Sequence, residues 1–197
     1  MDFYHDQMRM LQDRYEGRAV ADRLEEHRMH NRFTEDDRRI IETAPFFFLA
    51  TSSATCVDCS FKGGAPGFVQ VLNDTELAWP VFDGIRMYRS LGIIAESGRV
   101  GLLFLRFDGQ RFDGSAARMR VNGRASVDSS SEALAGLPGA KRLVRVAVEH
   151  IFPNCPRYIP KMELEEPSIY APREGHTPPE PEWKQKEMVK DIFDAES

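Results

Sequence analysis

Apolar and polar positions change their rhythm twice along the chain, and each change marks a structural boundary. Residues 3–31 set Met8, Leu11, Tyr15, Val20 and Leu24 at approximately helical spacing among many charges, with Gly17 as a break. The spacing predicts a helical arm with a solvated face. Thr34 followed by Asp37 marks a fresh helix start, and Pro45 forces that helix to end near Ala44. From there the period shortens. Strand-type runs occupy 46–51, 57–61, 68–72 and 76–80, separated by turn-rich Ser52-Ser53-Ala54-Thr55, by Lys62-Gly63-Gly64-Ala65-Pro66-Gly67 and by Asn73-Asp74. Further strands are expected at 100–107, 117–126 and 143–151, with a small helix near 130–135. Six or seven strands with few helices between them imply a mainly β, antiparallel α+β fold built as a closed or half-open barrel, since closure removes vulnerable edges. Beyond Pro160, the prolines at 167, 172, 178, 179 and 181 exclude regular structure until about Glu182. Trp183, Met188, Val189, Ile192 and Phe193 then allow a short amphipathic helix over 183–193, with Trp183 as an anchoring aromatic. The chain divides into a helical arm (1–43), a barrel (44–160) and a proline-rich wrapping tail with a short C-terminal helix (161–197).

One helix stands alone among the strands. Asp83 can serve as its N-cap and Ser97-Gly98 as its stop, which predicts a helix between them. Met87, Leu91, Ile94 and Ala95 share one side, while Arg86, Arg89 and Ser90 stand at i, i+3, i+4 on the other. The apolar side is expected to be buried. The polar side puts two guanidinium forks and a hydroxyl within a turn of the helix N-terminus, where free N–H groups and the macrodipole favour an anion such as a phosphate monoester.

Composition narrows the partners. A chain of 197 residues forms one domain that buries roughly 70 % of its unfolded surface. Its net charge of −5 gives no general basic field for nucleic acid or an anionic membrane, though a local basic pocket is compatible with it. No run approaches a membrane span, and the N-terminus lacks a signal-peptide layout, so a cytoplasmic location is expected. Cys56 and Cys59 form a C-x-x-C, but Cys59 leads into a strand-like segment. A zinc site would have to recruit His150 and Cys155 from far downstream, so neither metal nor redox chemistry is expected there. His150 reads as a structural histidine and Cys155 as a buried packing residue.

Two further elements carry positive charge. The glycine-rich turn Lys62–Gly67 follows a strand and permits close approach of a ligand or another backbone, with Lys62 supplying charge. In the strand Arg118-Met-Arg-Val-Asn-Gly-Arg124, the residues Arg118, Arg120, Asn122 and Arg124 share one face. Together with the Arg86/Arg89/Ser90 helix these concentrate anion donors in a chain of negative net charge.

Several runs of the sequence carry a family resemblance. These are Phe48-Leu-Ala-Thr51, Asp58-Cys-Ser-Phe-Lys-Gly-Gly-Ala-Pro-Gly-Phe68, Met87-Tyr-Arg-Ser-Leu-Gly92, Arg99-Val-Gly-Leu-Leu-Phe104, Arg120-Val-Asn-Gly-Arg124 and Asn154-Cys-Pro-Arg-Tyr158. In this order they resemble the flavin-binding split-barrel proteins related to pyridoxamine 5'-phosphate oxidase, most of all their bacterial flavin-nucleotide-binding branch. The resemblance covers residues 44–160. It implies an FMN-binding split β-barrel whose cofactor lies in a cleft at a homodimer interface. It places Ser60, Lys62, Gly63, Arg86, Met87, Arg89, Ser90, Arg118 and Arg157 at the cofactor, with Arg89 and Ser90 on the phosphate and Arg86 as an added clamp. It puts Arg118 where an amide side chain often meets the ring, and Arg157 at the ring or at a substrate anion. The oxidase has Arg-Lys where this chain has Arg89-Ser90, and its C-terminal substrate-binding segment is not recognisable here. What the resemblance implies is therefore an FMN-dependent oxidoreductase of unassigned small organic substrate, with NADH or NADPH as the candidate nicotinamide partner. Its alternatives are a non-catalytic flavin or haem carrier and a deazaflavin-dependent reductase on the same barrel.

Overall fold

The computed structural model describes residues 3–106, 117–155, 157–160 and 162–195. Helices α1 (Asp6–Arg14) and α2 (Arg18–Arg28) bury no residue. Arg9 ties them together by pairing with Asp22 at 2.5 Å and Glu25 at 3.2 Å. Helix α3 (Glu35–Thr43) starts at the expected capping box, Thr34 and Asp37 each bonding the other's backbone N–H. It ends before Pro45 and sinks Ile41 into the core.

Strands β1 (Phe46–Ser52), β2 (Val57–Gly63), β3 (Gln70–Asn73), β4 (Glu76–Val81), β5 (Arg99–Arg106), β6 (Ala117–Asp128) and β7 (Arg142–Pro153) form one antiparallel sheet in the order β2-β1-β5-β6-β7-β4-β3. The last residue of the strand expected at 100–107 lies outside the described residues. The sheet is not closed: β2 and β3 remain its two ends. It is nonetheless curled. Phe47 of β1 meets Trp79 of β4 edge-on at 5.1 Å, although three strands separate β1 from β4 in the sheet order. Phe47 also contacts Phe104 at 5.2 Å and Phe68 at 6.0 Å, so the inward faces of the curl share one core. Each such ring is worth about 1.5–3 kcal/mol of burial. The architecture is the half-open member of the two barrel forms expected, a split barrel with its seam between the β2 and β3 ends.

A bulge lets β7 serve this core along its whole length. Asn122 pairs with His150 and Gly123 with Val148, so the strand register skips Glu149. The buried positions accordingly change phase, from Val144 and Val146 on one side of Glu149 to Ile151 on the other. Gly123 is needed at this step, because a Cβ there would stand 2.2 Å from the Ala147 carbonyl oxygen.

Three local expectations are corrected. Helix α4 spans Arg89–Ser97 and begins six residues after Asp83, which does not cap it. Arg86 (φ 60°) and Tyr88 (φ 51°) adopt left-handed backbone and interrupt any helix before Arg89. Its buried residues are Ser90, Ile93 and Ile94, whereas Met87 and Ala95, assigned to the apolar face, are exposed. The tail does not form a single helix over 183–193. A 3-10 turn (Glu182–Gln185) and helix α6 (Lys190–Asp194) are separated by an exposed Met188, and Trp183 anchors edge-on to Phe193 at 5.2 Å. Cys155 is exposed rather than buried, as are Cys56 and Cys59, and all three thiols are free. The small helix appears as α5 (Ser131–Leu134), capped by Ser130. No helix among the described residues is long and apolar enough to cross a membrane.

Candidate functional site

The seam of the barrel opens into a cleft of about 1050 Å³. Its floor is apolar, made by Leu49, Phe68, Trp79 and Val144. One wall is β2, where period-two alternation turns Asp58, Ser60 and Lys62 inward while Val57, Cys59 and Phe61 face out. The opposite wall carries Val81, Lys141 and Arg142 from the ends of β4 and β7, which are paired Val81 to Arg142. The loop before α4 and the first turn of α4 form the roof, and Leu164, Pro167 and Tyr170 of the tail border the mouth.

Hydrogen bonds knit the first wall to the roof. The Ser60 and Ser90 hydroxyls lie 3.1 Å apart, and Ser90 Oγ donates to Asp58 Oδ2 at 3.1 Å. Arg89 Nε stands 3.5 Å from Asp58 Oδ1. Burial holds the Lys62 ammonium below its ordinary pKa of 10.5, an effect that nearby Asp58 opposes. The N-cap of α4 is Tyr88, whose side chain caps nothing, so the first-turn N–H groups beside Ser90 keep their capacity to bind an anion.

Charge accumulates in this cleft against the sign of the chain. Five cations line it (Lys62, Arg86, Arg89, Lys141 and Arg142) and three carboxylates (Asp58, Asp83 and Glu166). One carboxylate is engaged by the tail, since Lys184 Nζ lies 2.8 Å from Asp83 and holds its carboxyl below the usual range. The tail also sets Phe193 under the Arg86 guanidinium at 4.6 Å. Arg142 stacks on Tyr88 at 4.9 Å.

Of the residues singled out in the sequence, Ser60, Lys62, Gly63, Arg86, Met87, Arg89 and Ser90 all border this cleft. Arg118 and Arg157 do not. Arg118 is buried beyond β5, donating from Nε to the Asn154 carbonyl at 2.8 Å, and it lines a separate small cavity with His30 and Asp37. Arg157 lies in an exposed turn. The space at Gly64 is taken by the Phe68 ring, 2.5 Å from where a Cβ would stand, so that glycine serves packing rather than a ligand. His150 is half-buried and packs against Phe3 at 5.2 Å.

Asp58, Lys141 and Arg142 are among the cleft residues that sequence reasoning did not single out. Asp58 stands two positions before Ser60, so its inward direction was available from the strand alternation alone. Lys141 and Arg142 open a strand remote in sequence from β2. Only the order of strands shows that they face it across the seam.

No family model matches this chain, and no curated protein matches it. Solved structures do. A candidate pyridoxamine 5'-phosphate oxidase of Lactobacillus delbrueckii is 16 % identical, with 62 % of this chain and 95 % of that one covered at a TM-score of 0.48. An FMN-binding protein of Syntrophomonas wolfei is 17 % identical over 74 % and 97 % of the two chains at 0.44. HupZ of group A Streptococcus is 15 % identical over 62 % and 98 % at 0.44.

Proposed function

We propose that the seam cleft binds FMN and that the protein is an FMN-dependent oxidoreductase of the pyridoxamine 5'-phosphate oxidase-like superfamily, acting on a small organic molecule. The observation that carries the reading is the meeting of Lys62, Arg86, Arg89 and Ser90 with the uncapped start of α4 above an apolar floor. A phosphate monoester favours guanidinium forks and backbone N–H groups, whereas a flat heteroaromatic ring favours apolar walls of the kind Leu49, Phe68 and Trp79 provide. The donor set therefore fits both ends of the cofactor. When bound, the flavin supplies the hydride or electron chemistry. The chain's own residues hold the phosphate, orient the ring and keep water from the floor.

A homodimer belongs to the same proposal. Phe46, Phe48 and Phe61 pack together on the outer face of β1 and β2, with Phe46–Phe61 centroids at 5.1 Å and Phe61 60 % exposed. Phe46 and Phe61 also border the cleft, so a second copy seated on this face would help to wall it. A second reading is a flavin carrier without turnover, which would use the same donors and the same apolar floor.

Equilibrium titration tests the cofactor assignment. FMN is expected to bind at least about tenfold more tightly than riboflavin. Arg89→Ala, at a half-exposed contact, should weaken FMN about fivefold and leave riboflavin unchanged. Equal affinity of the parent protein for the two flavins would return these arginines to the surface. Oxidation of NADH or NADPH by the FMN-loaded protein separates the enzyme from the carrier.

A further inference from the structure

We infer that Asp58 is a specificity-determining residue of the cleft, a built-in carboxylate that competes with a ligand's phosphate for the Ser90 and Arg89 donors and so limits how strongly phosphorylated ligands are preferred. The inference rests on the phosphate reading above and adds to it a residue that works against the ligand.

Proton accounting makes the competition concrete. A serine hydroxyl has one proton to donate, and that of Ser90 goes to Asp58 Oδ2 at 3.1 Å. Ser60 Oγ lies 3.1 Å from Ser90 Oγ, so with Ser90 donating to the carboxylate, Ser60 is the donor of that pair. Both hydroxyls thus point along a chain that ends on Asp58. Arg89 Nε adds a contact at 3.5 Å to the other oxygen. A phosphate on Ser90 must take its one proton from Asp58, and it shares the Arg89 guanidinium with that carboxylate, so it sits beside a second anion.

The carboxylate has no easy retreat. Asp58 lies inside β2 opposite Thr51 of β1, and its side chain is 20 % exposed, against 53 % for Arg89. The only other charged neighbour on its own strand face is Lys62. A ligand of the same ring without the phosphate makes no demand on these donors, so Asp58 acts on the ratio of the two affinities.

Asp58→Asn keeps the size of the side chain, removes its charge and offers an amide N–H to the ligand. FMN should bind the Asn variant about tenfold more tightly than the parent, with riboflavin unchanged. Asp58→Ser should show the same direction, which guards against an effect peculiar to one side chain, and Asp58→Glu should stay near the parent. Weaker FMN binding by the Asn and Ser variants would mean that Asp58 positions the donors for the phosphate, and a parallel change for FMN and riboflavin would mean a general change in the cleft. Either result overturns the inference while the parent's preference for FMN leaves the phosphate reading standing. Equal binding of both flavins by the parent removes the two together.

Discussion

At the scale of single residues, Lys62 is the group whose chemistry the fold alters most usefully. Burial disfavours its ammonium, so its pKa lies below 10.5, and in the window beneath that value the unfolded chain binds more protons than the folded one. Stability contributed by this group therefore rises with pH through the window, while at lower pH the cost of burying the charge is fully present. A bound phosphate has the opposite preference, because it needs the charged form. FMN affinity should decline as pH rises into the alkaline range, earlier than an ordinary lysine would allow. In Lys62→Arg, whose guanidinium stays charged, the affinity should remain flat into alkaline solution. Fluorescence titrations across pH distinguish these outcomes, and a flat profile for the parent would show that Lys62 does not touch the phosphate. Lys62 was read in the sequence as part of the glycine-rich turn and Ser60 only through the family resemblance, whereas the structure carries β2 on to Gly63, so that strand alternation turns both inward. For Arg118 the spacing shows which residues share its face, but not that β6 lies on the far side of β5 from the seam.

The elements that were hardest to read are those in which backbone geometry overrides side-chain pattern. Arg86 and Tyr88 adopt left-handed φ with no glycine to announce it, so a helix expected from Asp83 begins only at Arg89. The displacement matters to the site, since it leaves Arg86 and Met87 in a roof loop that the tail clasps through Lys184 and Phe193. Strands were better marked, because alternation and turn residues act locally. The bulge at Glu149 was not marked. It needs Gly123 on the neighbouring strand, and that dependence can be tested. Gly123→Ala drives a Cβ against the Ala147 carbonyl at 2.2 Å and should cost about 1–3 kcal/mol, visible as a lower denaturant midpoint. Gly84→Ala, with nothing within 4 Å, should unfold like the parent. If the two variants lost equal stability, steric closure at the bulge would not be what makes Gly123 necessary.

For the whole molecule, two distributions set the behaviour: charge and exposed apolar surface. The chain carries a net charge of −5, whereas cations outnumber carboxylates in the seam, so the seam is locally favourable to an anionic ligand. Exposed apolar residues occur on several elements, and one cluster of them lies on the outer face of β1 and β2. There Phe61 stacks on Phe46 and meets Phe48 edge-on at 5.9 Å, with Cys59 two and Val57 four positions back along the edge strand, the latter 76 % exposed. Edge strands bearing aromatic rings invite pairing, and a two-fold partner is the arrangement that both covers the rings and stops further growth. A dimer in light scattering at micromolar concentration is the expected result. Phe61→Glu adds a charge to each copy at the same face and should shift the protein to monomer without disturbing the core, since the ring lies outside it. Because Phe61 also borders the cleft, the monomer should release FMN more readily than the dimer, and diluting the parent through its dissociation range should do the same. A parent protein that is monomeric and holds FMN as tightly as the Phe61→Glu variant would show that one chain completes the cleft and that the aromatic face serves another purpose.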